Sequence, residues 1–276
     1  VAEERCQKNL KERGRGLKIG SDLKLLHYIE RKIVDEKRSP AAALHEIKKE
    51  GREFTVTLCT NTIYSYIKKG IFLNVTMEDL PEKKKQHKKK KRKVQKRVQA
   101  GDSISQRPDY IDTREEFGHW EMDTVVGPQG KSKKVMLVLT ERKTRKEIVY
   151  LMQDRKAQTV VKALNTIERS YGERLFRNVF KTITVDNGVE FSDAEGLERS
   201  RRNKKKKRTK VYYCHPYSSC ERGSNENANR LIRRHIPKGV NFDKKRQSEI
   251  KEIETWINNY PRKLFGHSAP VNGRKR

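Results

Sequence analysis

The chain has 276 residues and a formal net charge of +30, with 37% charged and 33% hydrophobic residues. That length allows one large domain or two smaller ones with a proper core. No apolar run approaches bilayer length and no secretory signal is recognisable, so the sequence excludes a membrane span and we expect a cytoplasmic protein. Four scattered cysteines lack zinc-site spacing and are expected to be reduced thiols; Cys214 and His215 are adjacent, but there is no second pair for a metal site.

The positive charge is concentrated in two runs. Residues 83–97 hold eleven Lys or Arg and no acid, and residues 199–210 hold nine and no acid. A solvated, disordered charge run is the ordinary explanation for each. A surplus of this size nevertheless indicates a polyanionic partner, because basic side chains that neutralise phosphates release counterions. A membrane surface is the weaker alternative, since no amphipathic apolar face accompanies the lysines.

Residues 1–20 form a basic remnant, punctuated by glycine and without clear periodicity. The first residue is Val instead of Met, so we expect an upstream piece to be missing. Helical periodicity begins at residue 21, where a leucine at 25 or 26, Ile29 and Ile33 recur on one face.

Two further helices are predicted before residue 78. One has Ser39 as N-cap and Pro40 as its first residue, and stops at Gly51. The next runs from Thr60 to Gly70. Its inward side chains are predicted to be Ile63, Tyr64 and Ile67.

Three short helices over residues 21–78 resemble a helix-turn-helix DNA-binding module. In that interpretation the third helix is the recognition helix, and its outward side chains are Asn61, Thr62, Ser65, Lys68 and Lys69. The connection over residues 51–59 is longer than the usual tight turn. A small helical bundle without DNA contact is therefore the alternative.

Residues 79–108 are predicted to be a basic linker, flexible or partly helical, which lies along a phosphate backbone when DNA is present. Its candidate DNA contacts are Lys88, Lys89, Lys90 and Lys91.

From residue 109 to residue 276 the pattern changes to strands that alternate with helices. Strands are predicted at 120–126, 135–140, 148–152, 181–185 and 211–213, and helices at 157–171, 222–234 and 249–259. Three hairpin strands, a helix, then a strand and helices match the element order of a ribonuclease H-like α/β domain. We therefore expect such a domain, preceded by a small all-α helix-turn-helix domain.

Three carboxylates lie on separate predicted elements: Asp123 within a strand, Asp186 at a strand end and Glu226 on a helix. Phosphodiester cleavage by two metal ions needs hard oxygen ligands that hold the ions roughly 3.5–4 Å apart. Asp123 and Asp186 project to one edge of the sheet if their strands are neighbours. In a strongly basic chain, these acids indicate metal-dependent cutting or joining of nucleic acid.

The helix that carries Glu226 has one strongly polar face, formed by Arg222, Glu226, Asn229, Arg230 and Arg233. An acid among guanidinium groups is what a phosphate-binding helix requires. The alternative is a surface salt-bridge stripe in which Glu226 only pairs with Arg222 or Arg230, and we prefer that interpretation for Glu190 and Glu221. Glu121 shares a strand face with Asp123, and spacing does not choose between them.

Three motifs stand together in this region: residues 118–123 (Gly-His-Trp-Glu-Met-Asp), residues 186–188 (Asp-Asn-Gly) with Glu190-Phe191, and residues 216–227, which end in Arg-Gly-Ser-Asn-Glu-Asn. They resemble the integrase core of the insertion-sequence thirty family of bacterial DDE transposases. Residues 236–239 and 259–263 fit the same family, and residues 39–40 with 62–67 resemble its second helix-turn-helix. The resemblance covers most of the chain from about residue 20 to residue 270.

The resemblance implies an acid triad of Asp123, Asp186 and Glu226 that acts with two Mg²⁺ ions, for which Mn²⁺ can substitute. It also implies a ribonuclease H-like integrase core and a transposase that binds terminal inverted repeats and target DNA, cleaves strands and transfers them. We expect a nucleoid-associated homo-oligomer on DNA, with Arg222, Arg230 and Arg233 as further DNA contacts. Family members usually begin with another DNA-binding module, for which this chain has no room.

Two other functions are compatible with these residues. One is a different ribonuclease H-like nuclease such as a resolvase, against which the helix-turn-helix and the Asn225-Glu226-Asn227 motif argue. The other is a truncated or regulatory DNA-binding protein with an inactive or incomplete transpososome. The presence of all three acids favours a competent site.

Overall fold

The computed structural model describes residues 17–20, 22–81, 100–216, 218–266 and 269–270. The chain divides into two compact units, Val1–Gln86 and His87–Arg276. Across the described ranges, no helix has the length and apolar character needed to cross a membrane.

In its described residues, 17–20 and 22–81, the first unit contains three helices: α1 (Leu23–Val34), α2 (Pro40–Lys49) and α3 (Thr60–Lys68). The Ser39 hydroxyl accepts a hydrogen bond from the Ala42 N–H at 3.2 Å, so Ser39 caps α2 as predicted. Asp22 caps α1 in the same way, since its Oδ1 accepts from the Leu25 N–H at 3.0 Å. The Asp22 Oδ2 accepts from the Val56 N–H at 3.2 Å and so ties the start of α1 to the segment before α3.

The core of this unit corrects one prediction about α3. Tyr64, predicted to face inward, is 38% exposed, whereas Ile63, Tyr66 and Ile67 are buried. Successive helical residues are 100° apart, so positions 63, 66 and 67 share a face that excludes position 64. The Tyr66 hydroxyl accepts from the Lys18 N–H at 2.7 Å, which satisfies its polar atom inside the core.

The long connection before α3 is part of the core. Leu58 is buried there, and Phe54 and Val56 pack against the same cluster. The connection is longer than the tight turn of a usual helix-turn-helix because its side chains pack into the hydrophobic core of this unit.

The second unit is built on a five-stranded sheet. Its strands are β1 (His119–Val126), β2 (Val135–Glu141), β3 (Glu147–Met152), β4 (Thr182–Val185) and β5 (Lys210–Tyr213). The sheet order is β3-β2-β1-β4-β5. The first three strands are antiparallel, while β4 runs parallel to both β1 and β5.

Within the part of this unit that the structure describes, five α-helices accompany the sheet: α4 (Ala157–Tyr171), α5 (Glu173–Val179), α6 (Ala194–Glu198), α7 (Gly223–His235) and α8 (Gln247–Asn258). An antiparallel three-stranded meander extended by two parallel strands is the ribonuclease H-like α/β arrangement, and the predicted fold class is confirmed. The two short helices α5 and α6 were not predicted.

Strand β1 separates the hydrophobic core from the polar site by alternation. Trp120 and Met122 point into the core with Leu164 of α4, and the Trp120 ring stacks on Phe180 with centroids 4.6 Å apart. Odd-numbered residues of β1 consequently face the opposite side of the sheet, where α7 packs on β1 and β2.

The basic run 199–210 is not uniformly solvated. Arg208 is only 1% exposed. It donates to the carbonyls of Leu197 and Gly196 at 2.9 Å each and forms an ion pair with Glu168 of α4 at 3.2 Å. At least Arg208 of this basic run therefore stabilises the fold.

Glu168 also holds the other end of the run. Its carboxylate accepts from the Ser200 hydroxyl at 2.6 Å and from the Arg201 N–H at 2.9 Å. The two ends of the loop are thus tied to one buried acid, while residues 204–207 are exposed.

Replacing Arg208 with Met should destabilise the second unit by roughly 3–5 kcal/mol, because Glu168 would remain buried without its cationic partner. Urea denaturation followed by fluorescence measures this change. Arg202→Met, at an exposed position of the same loop, is the matched control and should stay within about 0.5 kcal/mol of the wild type. Equal stability of the two variants would contradict the role given to Arg208.

Candidate active site

The register between β1 and β4 places two of the predicted acids next to each other. His119, Trp120 and Glu121 pair with Thr182, Ile183 and Thr184 in the parallel ladder. Two residues further along the same register, Asp123 stands beside Asp186, the residue that follows β4. The strands of these two aspartates are therefore neighbours.

One guanidinium group lies between these two carboxylates. Arg222 Nη1 is 3.2 Å from Asp123 Oδ1, and Arg222 Nη2 is 2.9 Å from Asp186 Oδ2. The Arg222 side chain is 12% exposed, compared with 22% for Asp123 and 40% for Asp186. The three side chains form a half-buried cluster with one positive and two negative charges.

The charge of Arg222 is held in place by its partners. Burial lowers the pKa of Arg222, but the negative charges of Asp123 and Asp186 outweigh this effect, and the net pKa is raised above its ordinary value. The guanidinium therefore remains a cation at every physiological pH.

Each aspartate has a second hydrogen-bond donor. Asn229 of α7 donates through Nδ2 to Asp123 Oδ2 at 2.9 Å. The Gly188 N–H donates to Asp186 Oδ1 at 2.9 Å. A Cβ atom at position 188 would lie 2.8 Å from Asp186 Oδ1, so glycine permits this close turn. Both carboxylates are oriented by the protein itself.

The third predicted acid does not join this cluster. Glu226 is exposed on α7. Among the described residues, no group of three Asp, Glu, His or Cys side chains is placed so that it could hold a metal ion. The structure brings together two of the three predicted acids.

Of the three predicted arginine contacts, only Arg230 is exposed. Arg222 contacts the two aspartates, and Arg233 donates to the Val126 carbonyl at 2.7 Å. These contacts give Arg222 and Arg233 partners within the protein.

Glu121 has a structural environment that spacing did not reveal. It is fully buried, and its Oε2 accepts from the Ser224 N–H at 3.1 Å and the Asn225 N–H at 3.2 Å. Its Oε1 accepts from Arg142 Nη1 at 3.3 Å. Glu121 therefore caps the N-terminus of α7 with a negative charge, which the helix dipole favours.

Two other acids of the motifs also have ion-pair partners. The Glu190 Oε1 accepts from Arg155 Nε at 2.8 Å and from the Thr124 hydroxyl at 2.8 Å. Glu221 Oε1 is 2.7 Å from His215 Nδ1. A surface salt bridge was predicted for Glu190, but this side chain is only 1% exposed, so its ion pair with Arg155 involves a buried acid.

Cys214, next to His215, is an inert thiol. Burial raises its pKa to about 12, so the thiolate that binds metals is disfavoured.

The outward face of α3 is exposed as predicted. Asn61, Ser65 and Lys68 are exposed, and Thr62 is partly exposed, with its hydroxyl 3.1 Å from Cys59 Sγ. The four candidate linker contacts Lys88, Lys89, Lys90 and Lys91 lie outside the described residues.

Known proteins resemble this chain, most specifically in the region that carries the two aspartates. The integrase core domain matches residues 113–219, a range that includes Asp123 and Asp186. A probable transposase for the insertion-like sequence element IS1161 of Streptococcus salivarius is 35% identical over 213 residues, which are 76% of this chain and 56% of that protein. The transposase InsI for insertion sequence element IS30A of Escherichia coli is 33% identical over 170 residues, covering 62% of this chain and 41% of that protein.

The chain therefore has an integrase core region over residues 113–219 and is similar to transposases of insertion sequences, that of IS30A among them. The transposase for insertion sequence element IS4351 of Bacteroides fragilis is a further relative, 36% identical over 167 residues, which are 60% of this chain and 47% of that protein. The chain thus spans about half the length of these relatives. The catalytic core domain of BIV integrase is similar with a TM-score of 0.37 and 15% identity, over 56% of this chain and 92% of that one.

Glu121 and Asp123 are expected to respond differently to loss of charge. Glu121→Gln should destabilise the second unit by about 1–3 kcal/mol, because the start of α7 and Arg142 both lose a charged acceptor. Asp123→Asn, at a partly exposed position of the same strand, should cost less. Urea denaturation of both variants measures the difference. A Glu121→Gln variant that keeps its stability but loses DNA cleavage would indicate that Glu121 takes part in the reaction.

Proposed function

We propose that this IS30-like chain cleaves DNA strands at the ends of an insertion sequence and transfers them to target DNA. The observation that carries the proposal is the convergence of Asp123 and Asp186, from the adjacent strand regions of β1 and β4, on one cationic group. Paired carboxylates at a common edge are the ligands that a phosphodiester-cutting site with divalent cations requires.

The donor set fits divalent metal ions. The oxygens of Asp123 and Asp186 are hard ligands, and they already attract one positive group, the Arg222 guanidinium. Asp123 and Asp186 would hold Mg²⁺, with Glu226 as a third ligand supplied from α7, and Mn²⁺ would be a substitute. When bound, such ions make a hydroxyl more nucleophilic and stabilise negative charge on the phosphate.

The surrounding residues orient the two aspartates. Asn229 fixes one oxygen of Asp123, and the Gly188 N–H fixes one oxygen of Asp186, so neither carboxylate has to be ordered when substrate binds. Glu121 keeps the start of α7 against β1, which sets the distance from Glu226 to the aspartates.

Double-stranded DNA is the proposed partner. The net charge of +30 supports phosphate binding without sequence preference, and the exposed side of α3 has the short polar groups and lysine that suit base edges. The DNA that we propose for binding comprises the terminal inverted repeats and the target DNA. Arg230 and the linker lysines would contact its phosphates, and the chain would act as a homo-oligomer on the bacterial nucleoid.

Each acid of the proposed triad is tested by its isosteric amide. Asp123→Asn, Asp186→Asn and Glu226→Gln should each lower Mg²⁺-dependent nicking and strand transfer by about a hundredfold or more, because each removes ligand charge and little volume. The assay uses labelled oligonucleotides that carry the element ends, with gel-shift measurements to show that DNA binding is retained. Glu195→Gln is the matched control at an exposed acid of the same unit.

The outcome for each residue is independent. Near wild-type turnover in one variant would remove that residue from the triad. Specific DNA binding by the wild type with no cleavage in Mg²⁺ or Mn²⁺ would instead favour a regulatory DNA-binding protein.

Sequence discrimination is expected to come from α3. Asn61→Ala and Ser65→Ala should each reduce the preference for terminal repeats over random DNA, with a lost base contact costing roughly 1–3 kcal/mol. Competition binding at fixed salt measures the preference, and Lys24→Gln, at an exposed position of α1, is the control that should leave it unchanged. If both α3 variants keep the wild-type preference for terminal repeats, this helix belongs to a helical bundle that does not contact DNA bases.

A further inference from the structure

The aspartate cluster has a feature that the proposed reaction does not require. All four carboxylate oxygens of Asp123 and Asp186 already contact a positively charged group or a hydrogen-bond donor of the protein. Arg222 occupies one oxygen of each at 3.2 and 2.9 Å, and Asn229 and the Gly188 N–H occupy the others at 2.9 Å each. The cluster is complete with a protein cation at its centre.

We propose that Arg222 is a built-in counter-ion of the two aspartates, which a divalent cation must displace before it can bind between them. This inference rests on the proposed metal site at Asp123 and Asp186. It assigns to Arg222 a positioning role toward that site: the guanidinium holds the two carboxylates side by side until a metal ion replaces it.

Electrostatics requires the exchange. Two carboxylates on neighbouring strand segments repel each other when both are charged, and partial burial leaves little water to screen them. Arg222 removes this repulsion. A metal ion placed between the same oxygens would meet the positive guanidinium a few ångströms away, so both cations cannot occupy the cluster together.

The hydrogen bonding of Arg222 makes its release feasible. Its Nε is buried and, in the described part of the chain, has no hydrogen-bond partner. Its Nη1 reaches the Met122 carbonyl only at 3.4 Å. The guanidinium is therefore held mainly by the two aspartate charges, and a competing cation removes the main interactions that keep it there.

The position of Arg222 in the chain also suits movement. It ends a short 3-10 helix, Ser219–Arg222, directly before α7. A Cβ atom at the next residue, Gly223, would meet no other atom within 4 Å, so the backbone at this junction is not crowded.

Mn²⁺ binding to the full chain tests the inference directly. Electron paramagnetic resonance counts free Mn²⁺ during a titration of the wild type, Arg222→Gln and Arg222→Lys. Arg222→Gln should bind Mn²⁺ about tenfold more tightly than the wild type, because no salt bridges have to be broken. Arg222→Lys should fall between them. Arg177→Gln is the matched control. It removes one positive charge that pairs with Glu173 within α5, and it should bind Mn²⁺ as the wild type does.

Thermal melting provides a second measurement. Without metal, Arg222→Gln should melt below the wild type, since its aspartates repel each other. Saturating Mn²⁺ should close this gap, because the ion replaces the missing charge. A gap that is the same with and without Mn²⁺ would mean that Arg222 only supports the fold, and the inference would fail.

The double variant Asp123→Asn/Asp186→Asn separates this inference from the proposed function. Its titration defines Mn²⁺ bound elsewhere. If the wild type and Arg222→Gln bind no more Mn²⁺ than this blank, the proposed metal site fails and the inference falls with it. If the wild type binds more than the blank but Arg222→Gln has the same or weaker affinity, the metal site stands and only the role of Arg222 is overturned.

Discussion

The candidate site of the second unit depends on one constraint, the electrostatic repulsion between two neighbouring carboxylates. Because β1 and β4 run parallel as neighbours, Asp123 of β1 and Asp186, which follows β4, contact the same guanidinium group. Two negative charges this close together repel each other unless a positive charge lies between them. The sheet therefore creates a site that demands a cation, and the start of α7 supplies one in Arg222.

A single strand sets both sides of this arrangement. Glu121 and Asp123 lie on the same face of β1, two residues apart, but at different depths. The buried Glu121 anchors the N-terminus of α7, and the more exposed Asp123 contacts the arginine that precedes this helix. Any shift of β1 would move the anchor and the site together, which keeps their separation constant.

The larger elements could be predicted because each has a strong local signal. The helix α4 has an apolar face with a period of 3.6 residues, and residues 119–123 of β1 alternate between polar and apolar side chains. The helix α5 escaped prediction because only Phe176 is buried among its seven residues, which is too little to show a period. The sequence prediction placed Tyr64 inward with Ile63 and Ile67, although helix geometry gives that face to Tyr66.

The site was only partly predictable for a different reason. The two aspartates are each recognisable from a strand pattern, but the contacts that distinguish Glu121 from Asp123 come from residues about a hundred positions away. The role of Arg222 depends on partners 100 and 36 residues away, Met122 and Asp186. No local pattern contains that information, because it arises from the meeting of β1, β4 and α7.

The basic loop between α6 and β5 shows how this fold can vary without loss. Its ends are tied to the buried Glu168 through Ser200 and Arg208, while the residues between them contribute little to the core. Insertions, deletions or charge changes in the exposed stretch would leave the sheet and its acids undisturbed. An evolving element can therefore adjust how strongly this surface holds a nucleic-acid backbone by editing a few codons, without altering the machinery that the same chain uses elsewhere.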